Sequence, residues 1–82
     1  MSDEDKIFGT ICSVLAEYVE KDTQINRSTK IVADLEIDSV NVFDMIMEVE
    51  DAYDISISME SISNTHTVGG LVDVVSGLIN AD

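Results

Sequence analysis

Three stretches of this chain repeat apolar residues at helical spacing, and the chain is too short for them to find any partner but one another. Ile7, Ile11, Val14, Leu15 and Tyr18 form the first stripe. Val42, Met45, Ile46, Val49 and Tyr53 form the second, and Leu71, Val74, Val75 and Leu78 the third. Steps of three and four place each set on one face of a helix. A length of 82 residues allows one domain, with a radius of gyration of roughly 12 Å. Such a domain buries only about 60% of its unfolded surface, so its stability is marginal and the three faces must close on each other. The expected fold is all-α: a small antiparallel four-helix bundle in a single domain, residues 1–82. Three main helices span about 3–20, 39–53 and 68–80, and a short one covers 59–64.

Local signals set the ends. Ser2 with Asp5 three residues on resembles a capping box. Asp38 is placed to accept a hydrogen bond as the N-cap of the second helix, and Thr67 as the N-cap of the last. Gly69 and Gly70 each cost up to about 1 kcal/mol relative to Ala, so that end is expected to fray. Asp73, Ser76 and Asn80 face away from the third stripe. Residues 21–37 read as a long connection pinned by Ile25, Ile31, Val32, Leu35 and Ile37. Ile55 and Ile57 fall in a short extended link.

Charge narrows the function classes. The formal net charge is −13. All four bases (Lys6, Lys21, Arg27, Lys30) lie in the first thirty residues, whereas residues 31–82 carry eleven acids and no Lys or Arg. A polyanion such as nucleic acid is repelled, an anionic membrane surface is disfavoured, and a protein partner is expected to present a basic patch. No apolar run approaches the ~20 residues of a membrane span. The start MSDEDK has neither a basic region nor an apolar one of the secretory kind. The single cysteine, Cys12, is a small core or boundary residue, with no internal disulfide and no zinc cluster to join. The expected compartment is the cytoplasm, and the expected state a monomer.

The second helix has two apolar faces. With Ser39 at zero and about 100° per residue, Val42, Met45, Ile46, Val49 and Tyr53 share the core sector. Val40 and Met47 lie opposite, with Phe43 on the flank, Asp44 and Asp51 in the same sector, and Glu48, Glu50 and Asp54 bordering it. A helix that only needed to dissolve would put charge alone outside. Small apolar contacts framed by carboxylates suit docking: burial supplies about 1.5–3 kcal/mol per side chain, and the acids supply orientation and fast encounter. Val40 and Met47 are expected to be exposed, while Phe43 is balanced between the surface and packing under the first helix or the long loop.

Ser39 follows Asp38 at the first turn of that helix, where unpaired N–H groups carry partial positive charge and favour an attached phosphate. It lacks the surroundings of a nucleophile. His66 is the sole histidine and no elbow glycines flank the serine, so no Ser–His triad is legible. Neither His66 nor Tyr18 suggests a role beyond packing or surface.

At these residues the chain resembles the acyl carrier protein family. The stretch Asp34-Leu35-Glu36-Ile37-Asp38-Ser39-Val40, then the acidic helix to Tyr53-Asp54-Ile55-Ser56-Ile57, is similar to the family pattern D-L-G-x-D-S-L followed by E-E-x-F-x-I-x-I-P. The likeness covers nearly the whole chain. It implies a four-helix bundle with no catalysis of its own. It further implies 4′-phosphopantetheine attached from coenzyme A to Ser39 by a phosphopantetheinyl transferase, with Asp38 as the motif partner. The thiol at the arm's end carries an acyl chain as a thioester, presented to synthases and transferases of lipid or polyketide synthesis that dock through basic patches. On the matching positions Val40, Asp44, Met47, Glu50 and Asp51 form the recognition surface, to which the face analysis adds Phe43 and Glu48. Val42, Ile46 and Val49 line the acyl pocket. Val40 stands where the family has Leu, Glu36 replaces Gly, Asn41 an acid and Ser58 Pro, which suggests a specialised, stand-alone carrier.

Two other classes compete. A calcium loop with ligands at Asp34, Glu36 and Asp38 would put Ser39 where Gly is needed and Met45 where Glu is needed, so it fails. Loose divalent-cation binding by Glu50 and Asp51, or an acidic interaction module that is never modified, remain as alternatives.

Overall fold

A computed structural model describes residues 3–20 and 22–80. Four helices follow in order: α1 (Asp3–Leu15), α2 (Ser39–Tyr53), α3 (Met59–Asn64) and α4 (Val68–Ile79). The Cα radius of gyration is 11.7 Å. α1 packs on both α4 and α2. The core takes Ile7, Ile11 and Leu15 from α1, Met45, Ile46 and Val49 from α2, and Val68, Leu71, Val72 and Val75 from α4. Ile31, Ile37 and Ile57 plug it from the connections, as two of the five expected loop anchors and one link residue. Ile25 and Leu35 pack partly against it, but Val32 is exposed.

α2 and α3 have the expected bounds, and α4 ends one residue short of expectation. α1 differs more. It ends at Leu15 rather than near residue 20. Glu17 N–H reaches Val14 C=O at 3.1 Å and Tyr18 N–H reaches Leu15 C=O at 2.9 Å, so the chain tightens into an i→i+3 turn. Ala16 to Glu20 hold no helix breaker; a tertiary contact overrides local propensity. Tyr18 leaves the helical stripe, and its hydroxyl donates to Glu48 Oε2 on α2 at 2.9 Å. Ser2, half of the expected capping box, lies outside the described residues.

α4 carries a different stripe from the one periodicity suggested. Val72 is fully buried, and Leu78 is exposed while its neighbour Ile79 packs partly against the core. Nor is its glycine end loose. Val68 N–H donates to Thr29 C=O (3.0 Å), Gly69 N–H to Arg27 C=O (2.8 Å) and Gly70 N–H to Thr67 Oγ1 (3.0 Å). Every orphan donor of that first turn is thus met. An isolated antiparallel bridge joins Lys30 to Thr67, and Ile31 N–H donates to His66 C=O at 2.9 Å. The donating loop is itself braced: Asn26 Oδ1 accepts from Ser28 and Thr29, and the Arg27 guanidinium lies 6.0 Å over the Phe8 ring of α1.

Among the described residues, two that are not glycine adopt left-handed backbone, Glu36 and Asp54, each with φ 54°. Asp54 closes α2, and its N–H bonds Glu50 C=O. Glu36 stands three residues before Ser39 in the approach to α2. Left-handed backbone costs an ordinary residue about 1–2 kcal/mol, and glycine's extra freedom when unfolded returns roughly 0.5–1 of that. Glu36→Gly is therefore expected to stabilise by about 0.5–1 kcal/mol, read as a melting temperature a few degrees higher. A lower melting temperature would show that the Glu36 side chain contributes more than its backbone costs.

Candidate functional site

The N-terminus of α2 is open where that of α4 is closed. Its hydrogen-bond ladder begins with Val42 N–H donating to Asp38 C=O at 2.9 Å. Asp38 has the extended backbone of an N-cap, but its side chain makes no capping hydrogen bond, contrary to expectation. Asp38 is exposed. The N–H groups of Ser39, Val40 and Asn41 therefore meet no acceptor among the described residues. By contrast, Ser58 caps α3 by accepting Ser61 N–H at 3.1 Å, which gives a role to the residue standing in the Pro position. Ser39 itself is exposed.

Next to Ser39 the outer face of α2 is apolar and framed by acid. Val40 is 71% exposed, Met47 61% and Phe43 41%, so Phe43 resolves to the surface rather than under α1 or the loop. Asp44, Glu48 and Asp51 are exposed around them. Glu50 departs from the expected surface. It is half-buried, and its Oε2 accepts Ile57 N–H at 2.7 Å, holding the link between α2 and α3.

Glu48 is held by Tyr18, and the pairing marks the phenol. Its pKa is pushed up to about 12, first by the hydrogen bond to Glu48, then by desolvation and by the charges of Glu48, Asp44 and Glu17. A proton bound more tightly in the folded state contributes stability that is complete below the ordinary phenol value near 10 and is lost as pH rises through about 12. In a Tyr53→Phe background, Glu48→Gln is expected to move the Tyr18 phenolate absorbance step down toward its ordinary range. An unmoved step would mean that the carboxylate does not hold the hydroxyl.

The expected acyl-pocket residues part company. Ile46 and Val49 are sealed in the core, whereas Val42 is half-buried and borders a cavity of about 400 Å³. Its apolar wall is Ile31, Val32, Ala33 and Val42; its polar rim is Lys30, Thr65 and His66. Periodicity did not reveal it, because two connections far apart in sequence form most of it. Cys12 is half-buried, and burial raises its thiol pKa, so it holds little thiolate at neutral pH.

Among the described residues, no three His, Cys, Asp or Glu side chains gather to hold a metal ion, and no helix is long and apolar enough to cross a membrane.

Comparison with known proteins agrees with the geometry. The family model for the phosphopantetheine attachment site matches residues 6–75. The chain is 38% identical over 69 residues to the acyl carrier protein of Streptococcus pyogenes serotype M1, covering 84% of this chain and 90% of that one. It is 28% identical over 74 residues to that of Borreliella burgdorferi strain ZS7, covering 89% and 92%. The solved structure of a Mycobacterium tuberculosis chain described as a candidate acyl carrier protein superposes with a TM-score of 0.71 at 35% identity, covering 92% of this chain and 96% of that one. An exposed serine at an uncapped helix end fits the covalent group this family carries: the first-turn N–H groups stand ready for its phosphate. The chain belongs to the phosphopantetheine-bearing acyl carrier protein family, and it is a carrier of acyl groups for synthases and transferases, not a catalyst.

Proposed function

We propose that Ser39 Oγ is the attachment point of 4′-phosphopantetheine and that the outer face of α2 is where partner enzymes dock. One observation carries the first part: α2 opens on Ser39, Val40 and Asn41 N–H groups that no side chain caps, while α3 and α4 are capped by Ser58 and Thr67. A phosphodiester at Ser39 would lie against those N–H groups and the positive end of the helix dipole. The group supplies a thiol on a flexible arm, on which acyl cargo is held as a thioester. Residue Asp38 serves as the motif partner ahead of the serine, its side chain making no cap hydrogen bond.

Docking rests on Val40, Phe43 and Met47 as the apolar centre and on Asp44, Glu48 and Asp51 as its acidic frame. The phosphopantetheinyl transferase and the acyl synthases and transferases are expected to meet this frame with basic residues. Glu50 acts through Ile57, shaping the end of the face rather than touching a partner with its full charge. The cavity beside Val42 is the place for the proximal part of the cargo. A cytoplasmic setting, a monomeric state and a pathway in lipid or polyketide synthesis belong to this proposal and rest on composition and likeness.

Incubation of the full chain with coenzyme A and a phosphopantetheinyl transferase tests the first part. The intact mass is expected to rise by one phosphopantetheinyl group, and Ser39→Ala is expected to show no rise at an unchanged melting temperature. A modified Ser39→Ala protein would place the arm elsewhere. An unmodified, folded wild type would favour an acidic interaction module instead.

A further inference from the structure

Tyr18 spans from the core to the outer face of α2. Its ring is half-buried and packs partly against the core, while its hydroxyl donates to Glu48 Oε2 at 2.9 Å. A tyrosine has only two side-chain torsions to fix, so the phenol is a stiff strut rooted below the surface. Glu48 is exposed, and its Oε1 accepts no hydrogen bond among the described residues. With Ser39 at zero, Phe43 falls at about 40° and Glu48 at about 180° around the helix. Glu48 therefore borders the outer face on the side of α1, at a position the family likeness does not assign. Asp44 stands one turn before it, and like charges at that spacing repel. Unheld, the Glu48 carboxylate would turn away from Asp44 into solvent. A neutral donor holds it in place and leaves its charge intact, where a base at position 18 would have cancelled it. The phenol stays neutral, its pKa pushed up to about 12, first by that same hydrogen bond.

We propose that Tyr18 is a positioning residue for the phosphopantetheinyl transferase: its hydroxyl sets the Glu48 carboxylate so that the open oxygen meets a lysine or arginine of the transferase at the α1 edge of the docking face. The proposal rests on the carrier and docking readings above and deepens them. Charge complementarity fixes the chemistry of the occupant, because α2 carries acids and no base along its whole length. Glu48 lies nine residues from Ser39, about 13.5 Å of rise, too far to touch the reacting hydroxyl. The pair therefore acts on docking and not on transfer. A side chain already held has given up the rotamer freedom that docking would otherwise take, which is about 2- to 10-fold in affinity.

The full chain is loaded from coenzyme A by the transferase at varied carrier concentration, as wild type, Tyr18→Phe, Glu48→Gln and the double variant. Tyr18→Phe keeps the ring and is expected to raise KM for the carrier about 2- to 10-fold at unchanged kcat. Glu48→Gln is expected to raise KM at least as much. In the Glu48→Gln background the amide oxygen can still accept from the phenol, but the charge is gone, so Tyr18→Phe is expected to change nothing further. A hydroxyl that merely latched the turn after α1 to α2 would raise KM equally in both backgrounds, and that result would overturn the proposal. An unchanged or lowered KM in Tyr18→Phe, or a loss confined to kcat, would overturn it too. The docking reading is tested separately by Asp44→Lys/Asp51→Lys. If that variant slows loading while Tyr18→Phe does not, this proposal alone falls; if neither does, the docking face falls with it. Failure of the folded wild type to load would overturn the carrier reading, and this proposal with it.

Discussion

Gly69→Ala is expected to destabilise the fold by about 2–3 kcal/mol, lowering the melting temperature by roughly 10 °C or more. A Cβ built at Gly69 would stand 2.9 Å from Arg27 O and 3.2 Å from Arg27 Cβ. The obstacle is backbone, so it cannot swing aside. Relief means moving the 26–29 loop off α4, which loosens the Gly69–Arg27 hydrogen bond and disturbs the Val68–Thr29 bond beside it. Helix propensity argues the opposite sign, a gain of up to about 1 kcal/mol from glycine to alanine. Gly77 is the control: it lies inside α4, and a Cβ there meets nothing within 4 Å. Gly77→Ala is expected to stabilise by up to about 1 kcal/mol. Thermal denaturation of both variants separates the two physical accounts. A Gly69→Ala protein as stable as Gly77→Ala would mean that the loop does not hold the end of α4.

Reversing charge on the proposed docking face of α2 is expected to act on rate and leave the fold alone. Asp44 and Asp51 are exposed, and neither carboxylate makes a hydrogen bond among the described residues. Asp44→Lys/Asp51→Lys is expected to lower the low-salt association rate with a basic partner by about 10- to 100-fold, because electrostatic steering contributes factors of 10 to 10³. The salt dependence of that rate should flatten as well. Stopped-flow association, or kcat/KM of the phosphopantetheinyl transferase across salt concentrations, reads both effects. Glu50→Gln makes a useful contrast. Its carboxylate accepts a buried-link N–H at 2.7 Å, so its loss should lower stability more than association rate. Unchanged kinetics in the double reversal would reduce the acidic face to a solubility device.

How much of this was legible beforehand depends on which force decides each feature. α2 was readable from Ser39 to Tyr53 because burial and periodicity agree there: Met45, Ile46 and Val49 turn inward, and Val40 and Met47 turn out. The Thr67 cap was readable because a hydroxyl three residues before a free N–H is a local signal. Features decided by distant residues were not. Tyr18 leaves α1 for Glu48, thirty positions away. Asp38 has a capping residue type and a capping backbone, yet its side chain makes no cap. The glycines of α4 looked like a weak end, but Gly69 permits a close approach by Arg27, forty-two positions earlier. At the site, the exposed serine and its acidic face lie on one helix and follow from its periodicity. The cavity is assembled from residues 30–33, Val42 and residues 65–66, and the backbone bonds around the Lys30–Thr67 bridge bring the two connections together.

The central claim is that Ser39 holds the arm through which this chain carries acyl groups. Fragmentation mass spectrometry of the protein isolated from its native host, with thioesters preserved, tests it most directly. The account predicts a phosphopantetheinyl group on the fragment containing Ser39, with part of the population extended by an acyl mass that hydroxylamine removes. A chain recovered wholly unmodified, or one bearing the group on another serine, would contradict it.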